Sequence, residues 1–178
     1  MAAPGADVIA KIHQHLKAGG EIRLEDRPRW GIDPTDVEAV LEALVKSHGA
    51  LLRGSGAILQ PGSLIGLHPS TGWGYATDHA GIALLQAVLS NEVPRHLDKW
   101  AFPLIITPTE PLVVRVVNPR PGFQRPRGFV YLVDREGFRN SPAASWQWVT
   151  TRTDRRVLGR VEVQSREFRY PVETMARG

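Results

Sequence analysis

The stretch Gly74-Tyr75-Ala76-Thr77-Asp78, followed from Ala80 by the apolar run AGIALLQAVL, decides how this chain is read. A short segment of strand composition leads into a helix that is apolar nearly all round and must be buried on several sides. Outward from it the same β-like texture recurs between turn residues, at 50–53, 63–67, 104–107, 112–117, 128–133 and 156–163. The run NPRPGFQRPR at 118–127 carries three prolines and a glycine, which predicts a loop. From residue 50 onward the pattern is that of an α+β protein with short strands and one buried helix.

The first quarter has a different period. Residues 6–17 place Val8, Ile9, Ile12 and Leu16 at helical spacing, and Gly19-Gly20 supplies a stop. Asp33-Pro34-Thr35 offers a second helix start, after which Val37, Val40, Leu41, Leu44 and Val45 form one apolar face ending near His48-Gly49. These readings divide the chain into a helical N-terminal extension or cap, 1–49, and a β-rich domain, 50–178. A truncated winged helix is the competing reading of the first part. The connection between the helices is long for a helix-turn-helix, and neither helix carries a row of Arg, Asn or Gln for base edges.

Composition narrows the chemistry. The 178 residues include no cysteine, so disulfides, thiol catalysis and thiolate metal sites are excluded. Met1 to Gly20 has no apolar run after a basic one, and no run approaches the ~18 apolar residues of a membrane span, so a cytoplasmic protein is expected. The net charge is +4, but Val114 to Arg160 holds ten Arg against Asp134, Glu136 and Asp154. Such an excess attracts anions or forms a solvated rim.

The familiar catalytic patterns do not fit. The six histidines form no HxxxH or HExxH pair, and His13 and His15 lie two apart on a helix, pointing in different directions. Ser55 in Arg53-Gly54-Ser55-Gly56 lacks the GxSxG context of a nucleophile elbow, and the same glycines lack a GxxxxGK[ST] phosphate loop.

What remains is an ordered series: Leu51-Leu52-Arg53-Gly54-Ser55, Pro61-Gly62-Ser63-Leu64-Ile65, Gly74-Tyr75-Ala76-Thr77-Asp78 and its helix, Gly128-Phe129-Val130-Tyr131-Leu132-Val133, and Arg156-Val157-Leu158-Gly159-Arg160-Val161. Over residues 51–163 this order resembles the ADP-ribosyltransferase superfamily, nearest to the small bacterial rifamycin ADP-ribosyltransferases and the RNA 2′-phosphotransferases. The resemblance implies a split β core of two packed antiparallel sheets with the helices as an N-terminal extension, and NAD as cofactor. It sets Arg53 where the family has its histidine, Gly54 and Ser55 completing that motif, and Tyr75 at the stacking tyrosine. Ala76, Thr77 and His68 then join Gly54 and Ser55 in holding NAD, while Gln147 orients ribose or acceptor. The acceptor is a nucleic acid, protein or small molecule, with Arg120, Arg125 and Arg127 flanking it.

Two departures accompany the resemblance. Arginine replaces histidine at Arg53, and the places where the family carries acidic residues read Gly137-Phe138-Arg139-Asn140-Ser141 and Gln147. A neutral amide holds a hydroxyl but cannot stabilise an oxocarbenium-like ribose by charge. The alternative is therefore a non-catalytic interaction or nucleic-acid-binding module on the same fold. Simpler readings also stand: Arg53 pairing with Asp78 or Glu136, Tyr75 and Trp73 as core aromatics, and Trp146 and Trp148 facing one side together with Gln147 on the other. The segment 94–127 reads as an insertion relative to the rifamycin enzymes.

Overall fold

The computed structural model describes residues 4–89, 104–107, 112–117 and 124–175. In chain order the elements are α1 (Ala6–Lys17), β1 (Glu21–Ile22), a 3-10 helix (Leu24–Trp30), α2 (Val37–His48), β2 (Leu51–Ser55), β3 (Gly74–Thr77) and α3 (Ala80–Val88). They continue with β4 (Leu104–Thr107), β5 (Val113–Val117), β6 (Arg127–Val133), β7 (Arg139–Ser141), β8 (Ala144–Thr150), β9 (Val157–Gln164), a 3-10 turn (Ser165–Glu167) and β10 (Val172–Met175). Among the described residues no helix is long and apolar enough to cross a membrane.

The helices form where the apolar period places them. α1 buries Ile9, Ile12 and Leu16, and α2 buries Val37, Val40, Leu41 and Leu44. Gly49, at φ 63°, takes the left-handed conformation that ends α2. α3 buries eight of its nine residues, in keeping with its apolar circumference.

The strands form a seven-stranded sheet in the order β1-β9-β6-β2-β3-β8-β7 and a three-stranded sheet, β10-β5-β4. The sheets are mixed rather than purely antiparallel: β1 runs parallel to β9, and β10 parallel to β5. Only hairpin neighbours are forced to run antiparallel. These two pairs join segments far apart in the chain, so connectivity leaves their direction free. Residues 63–67, which the composition marks as a strand, contribute one bridge, Leu64 to Arg156. β7 and β10 go unmarked in the sequence because Arg139-Asn140-Ser141 and the Pro171-flanked 172–175 have weak strand signals.

One face of the large sheet carries the helices. A Cβ on Gly54 would collide with the Ala83 carbonyl oxygen and lie 2.6 Å from the Ala87 amide nitrogen, and one on Gly128 would collide with the Ala87 carbonyl. β2 and β6 thus receive α3 backbone against backbone. The larger core cluster unites α1, α2 and α3 with Leu52, Val130, Leu132, Val161 and Val163, and Leu112 and Val114 of the small-sheet side join it. The helices and edge strand β1 of residues 4–49 belong to the same fold, α1 and α2 sharing this core. A buried ion pair, Arg27 with Glu167, ties the first 3-10 helix to the turn after β9, and Arg27 also donates to the Glu162 carbonyl.

The other face carries a smaller cluster: Leu51, Ile65, Ala76, Tyr131, Val133 and Val157. Between the halves of the sheet the pairing is thin. β2 pairs with β6 from Leu51 to Ser55, and β3 with β8 from Gly74 to Thr77, but β2 meets β3 only at Leu52–Thr77. The sheet is split there.

Two expectations follow. Gly54→Ala and Gly128→Ala each force α3 off the sheet and lower unfolding free energy by about 1–3 kcal/mol or more, read by urea denaturation. His13 stacks on His48 across α1 and α2, ring centroids 4.0 Å apart and planes 3° from parallel. Burial, then His48, then Lys17 hold the His13 pKa below its usual value. The unfolded chain therefore binds this proton more readily, so the stabilisation is present above about pH 6.5 and is lost as pH falls. His13→Gln flattens that decline in a series of melting temperatures against pH.

Candidate functional site

The strand registers align one residue from each strand of the large sheet. Glu21 pairs with Arg160, Arg160 with Tyr131 and Tyr131 with Arg53; Ala76 pairs with Trp148 and Trp148 with Asn140. The Leu52–Thr77 register sets Arg53 opposite Ala76 and closes the row. Side chains alternate along strands, so these seven project from one face, that of the smaller cluster and opposite α3.

One end of the row fastens the loop 56–73. Tyr131 Oη donates to the Ala57 carbonyl at 2.8 Å and accepts from the Leu59 amide at 2.7 Å. Arg160 donates to the Leu59 carbonyl at 2.8 Å, pairs with Glu21 at 3.0 Å and lies over the Phe129 ring. Burial pushes the Tyr131 phenol pKa up, and the Glu21 carboxyl is held low chiefly by its hydrogen bond from Arg160. Further along the loop, Gly62 N donates to Val157 O and Val157 N to Ser63 O, while Arg156 donates to the Gly62 carbonyl.

The middle of the row is different. Arg53 donates to the Tyr75 carbonyl at 2.7 Å, supplying a donor to β3 where strand pairing with β2 has stopped. Burial pushes its pKa below the usual arginine value. Among the described residues it has no carboxylate partner, neither Asp78 nor Glu136, whereas Arg160 has Glu21, Arg127 has Glu162, and Arg152 and Arg155 share Asp154. Beyond Ala76, the Arg135 guanidinium lies 4.3 Å from the centre of the Trp148 ring. Arg53 Nε, Arg135 Nε and Trp148 Nε1 are buried donors without a hydrogen-bond partner.

The remaining sequence candidates occupy other positions. Tyr75, Thr77 and Gln147 share the face opposite Arg53, because Thr77 pairs with Leu52 and with Gln147. Tyr75 donates to Thr71 Oγ1 at 2.8 Å and meets His68 and Trp73 edge-on at 6.3 and 6.4 Å. The structure thus joins Tyr75 with His68 and Thr77 with Gln147, and separates Arg53 from Tyr75 and Gln147. Thr77 is buried and donates to the Trp146 carbonyl at 2.8 Å. Gly54 underlies α3, and Ser55 Oγ accepts from the Ala57 amide at 3.1 Å. Trp146 packs against the larger cluster and Trp148 against the smaller, so these rings are divided rather than together.

Arg127 pairs with Glu162 at 3.3 Å, and Arg125 donates to the Gly56 carbonyl. Arg120 and most of 94–127 lie outside the described residues. Open grooves of about 270 Å³ beside Glu38 and Tyr170, and about 360 Å³ beside His15 and Trp30, do not include Arg53. Sequence reasoning missed Tyr131, Arg160 and Arg135. For Tyr131 and Arg160 the available signal was the polar residue within each apolar strand run, VYLV and GRVEV, since a buried polar group needs a partner; Arg135, beyond the end of β6, carried no such signal.

No family model, curated protein or solved structure matches the chain.

Tyr131→Phe deprives the Leu59 amide and the Ala57 carbonyl together. It should cost about 1–3 kcal/mol in chemical denaturation and bring the first cleavage in limited proteolysis to residues 56–73.

Proposed function

We propose that this chain binds NAD along the split between β2 and β3 and transfers its ADP-ribose to an acceptor. One observation carries the reading: Arg53 is a half-buried guanidinium, its Nε buried without a partner and no carboxylate paired with it among the described residues, sited where β2 and β3 part. Past Leu52, β2 has β6 as its only strand partner among the described residues, so Arg53, Gly54 and Ser55 form a strand edge beside that cation. A free strand edge suits the nicotinamide carboxamide, which needs one donor and one acceptor, and the guanidinium suits ribose oxygens and phosphate. The order of strand, Tyr-containing strand and buried helix supports the same reading through the superfamily resemblance.

A second reading, binding without transfer, is favoured by a separate observation. Tyr75 and Gln147 project from the opposite face to Arg53, so the tyrosine expected to stack on the nicotinamide and the amide expected to orient ribose or acceptor do not join it.

Two measurements separate these readings. NAD at about 100 times its Kd stabilises a protein that binds it only when folded by about 2.7 kcal/mol. A rise in melting temperature with NAD, abolished in Arg53→Ala, is expected. Nicotinamide release, followed by chromatography, then accompanies binding if transfer or hydrolysis occurs. Binding without release favours the second reading, and no rise with NAD sinks both forms of the NAD proposal.

A further inference from the structure

We propose that the groove between the start of α2 and residues 167–170 binds a small primary amine, whose ammonium group pairs with Glu38. The site is separate from the split between β2 and β3 and does not rest on the NAD reading. The groove is open and about 270 Å³ in volume, with Val37 and Tyr170 among its walls. Its charged lining is Glu38, Glu42 and Arg169, while Glu167, which also lines it, is spent on Arg27.

Glu38 is held in place before any ligand arrives. Tyr170 donates its hydroxyl hydrogen to Glu38 Oε1 at 2.7 Å, and the first turn of α3 packs against both. A Cβ on Gly81 would lie 2.8 Å from Tyr170 Cε2 and 3.0 Å from Glu38 Oε1, so bare backbone is what admits this contact. A carboxylate fixed in advance loses little freedom on binding.

What Glu38 lacks is a cation. Glu21 has Arg160, Glu162 has Arg127 and Glu167 has Arg27, whereas among the described residues no Lys, Arg or His forms an ion pair with Glu38. Asp36 and Asp78 share that lack, but neither lines the groove. Arg169 is exposed and pairs with neither Glu38 nor Glu42, and Glu42 meets the exposed Lys46 at 3.3 Å. Burial is the largest influence on the Glu38 carboxyl and raises its pKa, against the hydrogen bond from Tyr170. A bound ammonium offsets that penalty. The surrounding charge attracts the same ligand: residues 33–42 hold Asp33, Asp36, Glu38 and Glu42 with no lysine or arginine, in a chain of net charge +4. The form of the cation follows from the carboxylate. A guanidinium fork calls for both oxygens, and Tyr170 already occupies Oε1, whereas an ammonium needs only one.

The test is an NMR titration of the whole chain with n-butylamine hydrochloride near neutral pH and at constant ionic strength. n-Butanol and butyrate, with the same stem and a neutral or negative head, are titrated alongside. The amine alone should shift the amide signals of Gly81 and of residues 35–42 and 167–170. Glu38→Gln keeps an acceptor for Tyr170 and removes the charge. It should weaken amine binding about tenfold or more, while the melting temperature of the free protein holds or rises. A carboxylate kept only to support the start of α3 gives the opposite result, a lower melting temperature with amine binding unchanged. Glu25→Gln, at an exposed glutamate of the first 3-10 helix, serves as the control and should bind as the parent does. Absence of binding by the parent, butanol binding as tightly as the amine, or equal binding by Glu38→Gln overturns the proposal. A lysine-containing pentapeptide that binds far more tightly than butylamine overturns the small-molecule assignment in favour of a protein partner.

Discussion

The seating of α3 on bare strand backbone governs the rest of this structure. Gly54 and Gly128 admit the helix so closely that no side chain fits between them and its Ala83 and Ala87 carbonyls. Close approach buries the helix on most of its circumference and gathers α1, α2 and the central strands into one core. It also assigns the faces. With one side of β2 and β6 sealed by helix, Arg53 and Tyr131, one residue out of phase with Leu52 and Leu132, have to emerge on the other side.

That second face holds the concentrated polar chemistry, and the row across it has two characters. From Glu21 to Tyr131 the carboxylate, guanidinium and hydroxyl pair with one another or with loop backbone, Arg160 Nε alone being left without a partner, and these groups fasten the loop 56–73 to the sheet. From Arg53 to Trp148 the donors outnumber the acceptors. The change occurs where β2 and β3 cease to pair, so a gap in the backbone ladder coincides with a gap in charge compensation. A fold under selection for stability alone would close both, since unpaired buried donors cost free energy and a hydrophobic replacement is often neutral.

Much of the architecture was legible because it is periodic. The apolar faces of α1 and α2, the all-round apolarity of α3 and the runs that became β2, β3, β5, β6 and β9 are local patterns, and Gly49 marks its helix end by conformation. Less of the site could be read. Arg53 was marked by its place after two leucines, but its company was not, for Tyr75 and Gln147 turned out to face away while Arg135 and Trp148, from distant segments, stand on its side. The strand expected at 63–67 failed because its residues lie in the loop 56–73, where single bonds to Arg155 and Val157 replace a ladder.

The sequence by itself determined which segments are helical or extended, which residues each would bury, and an arginine excess without cysteine chemistry. Tertiary structure alone decided the parallel pairings of β1 with β9 and β5 with β10, the single contact between β2 and β3, and hence which side chains share a face. Period is a property of neighbouring residues, whereas register is set between strands far apart in the chain. A shift of one residue in that register reverses every side chain from one face to the other.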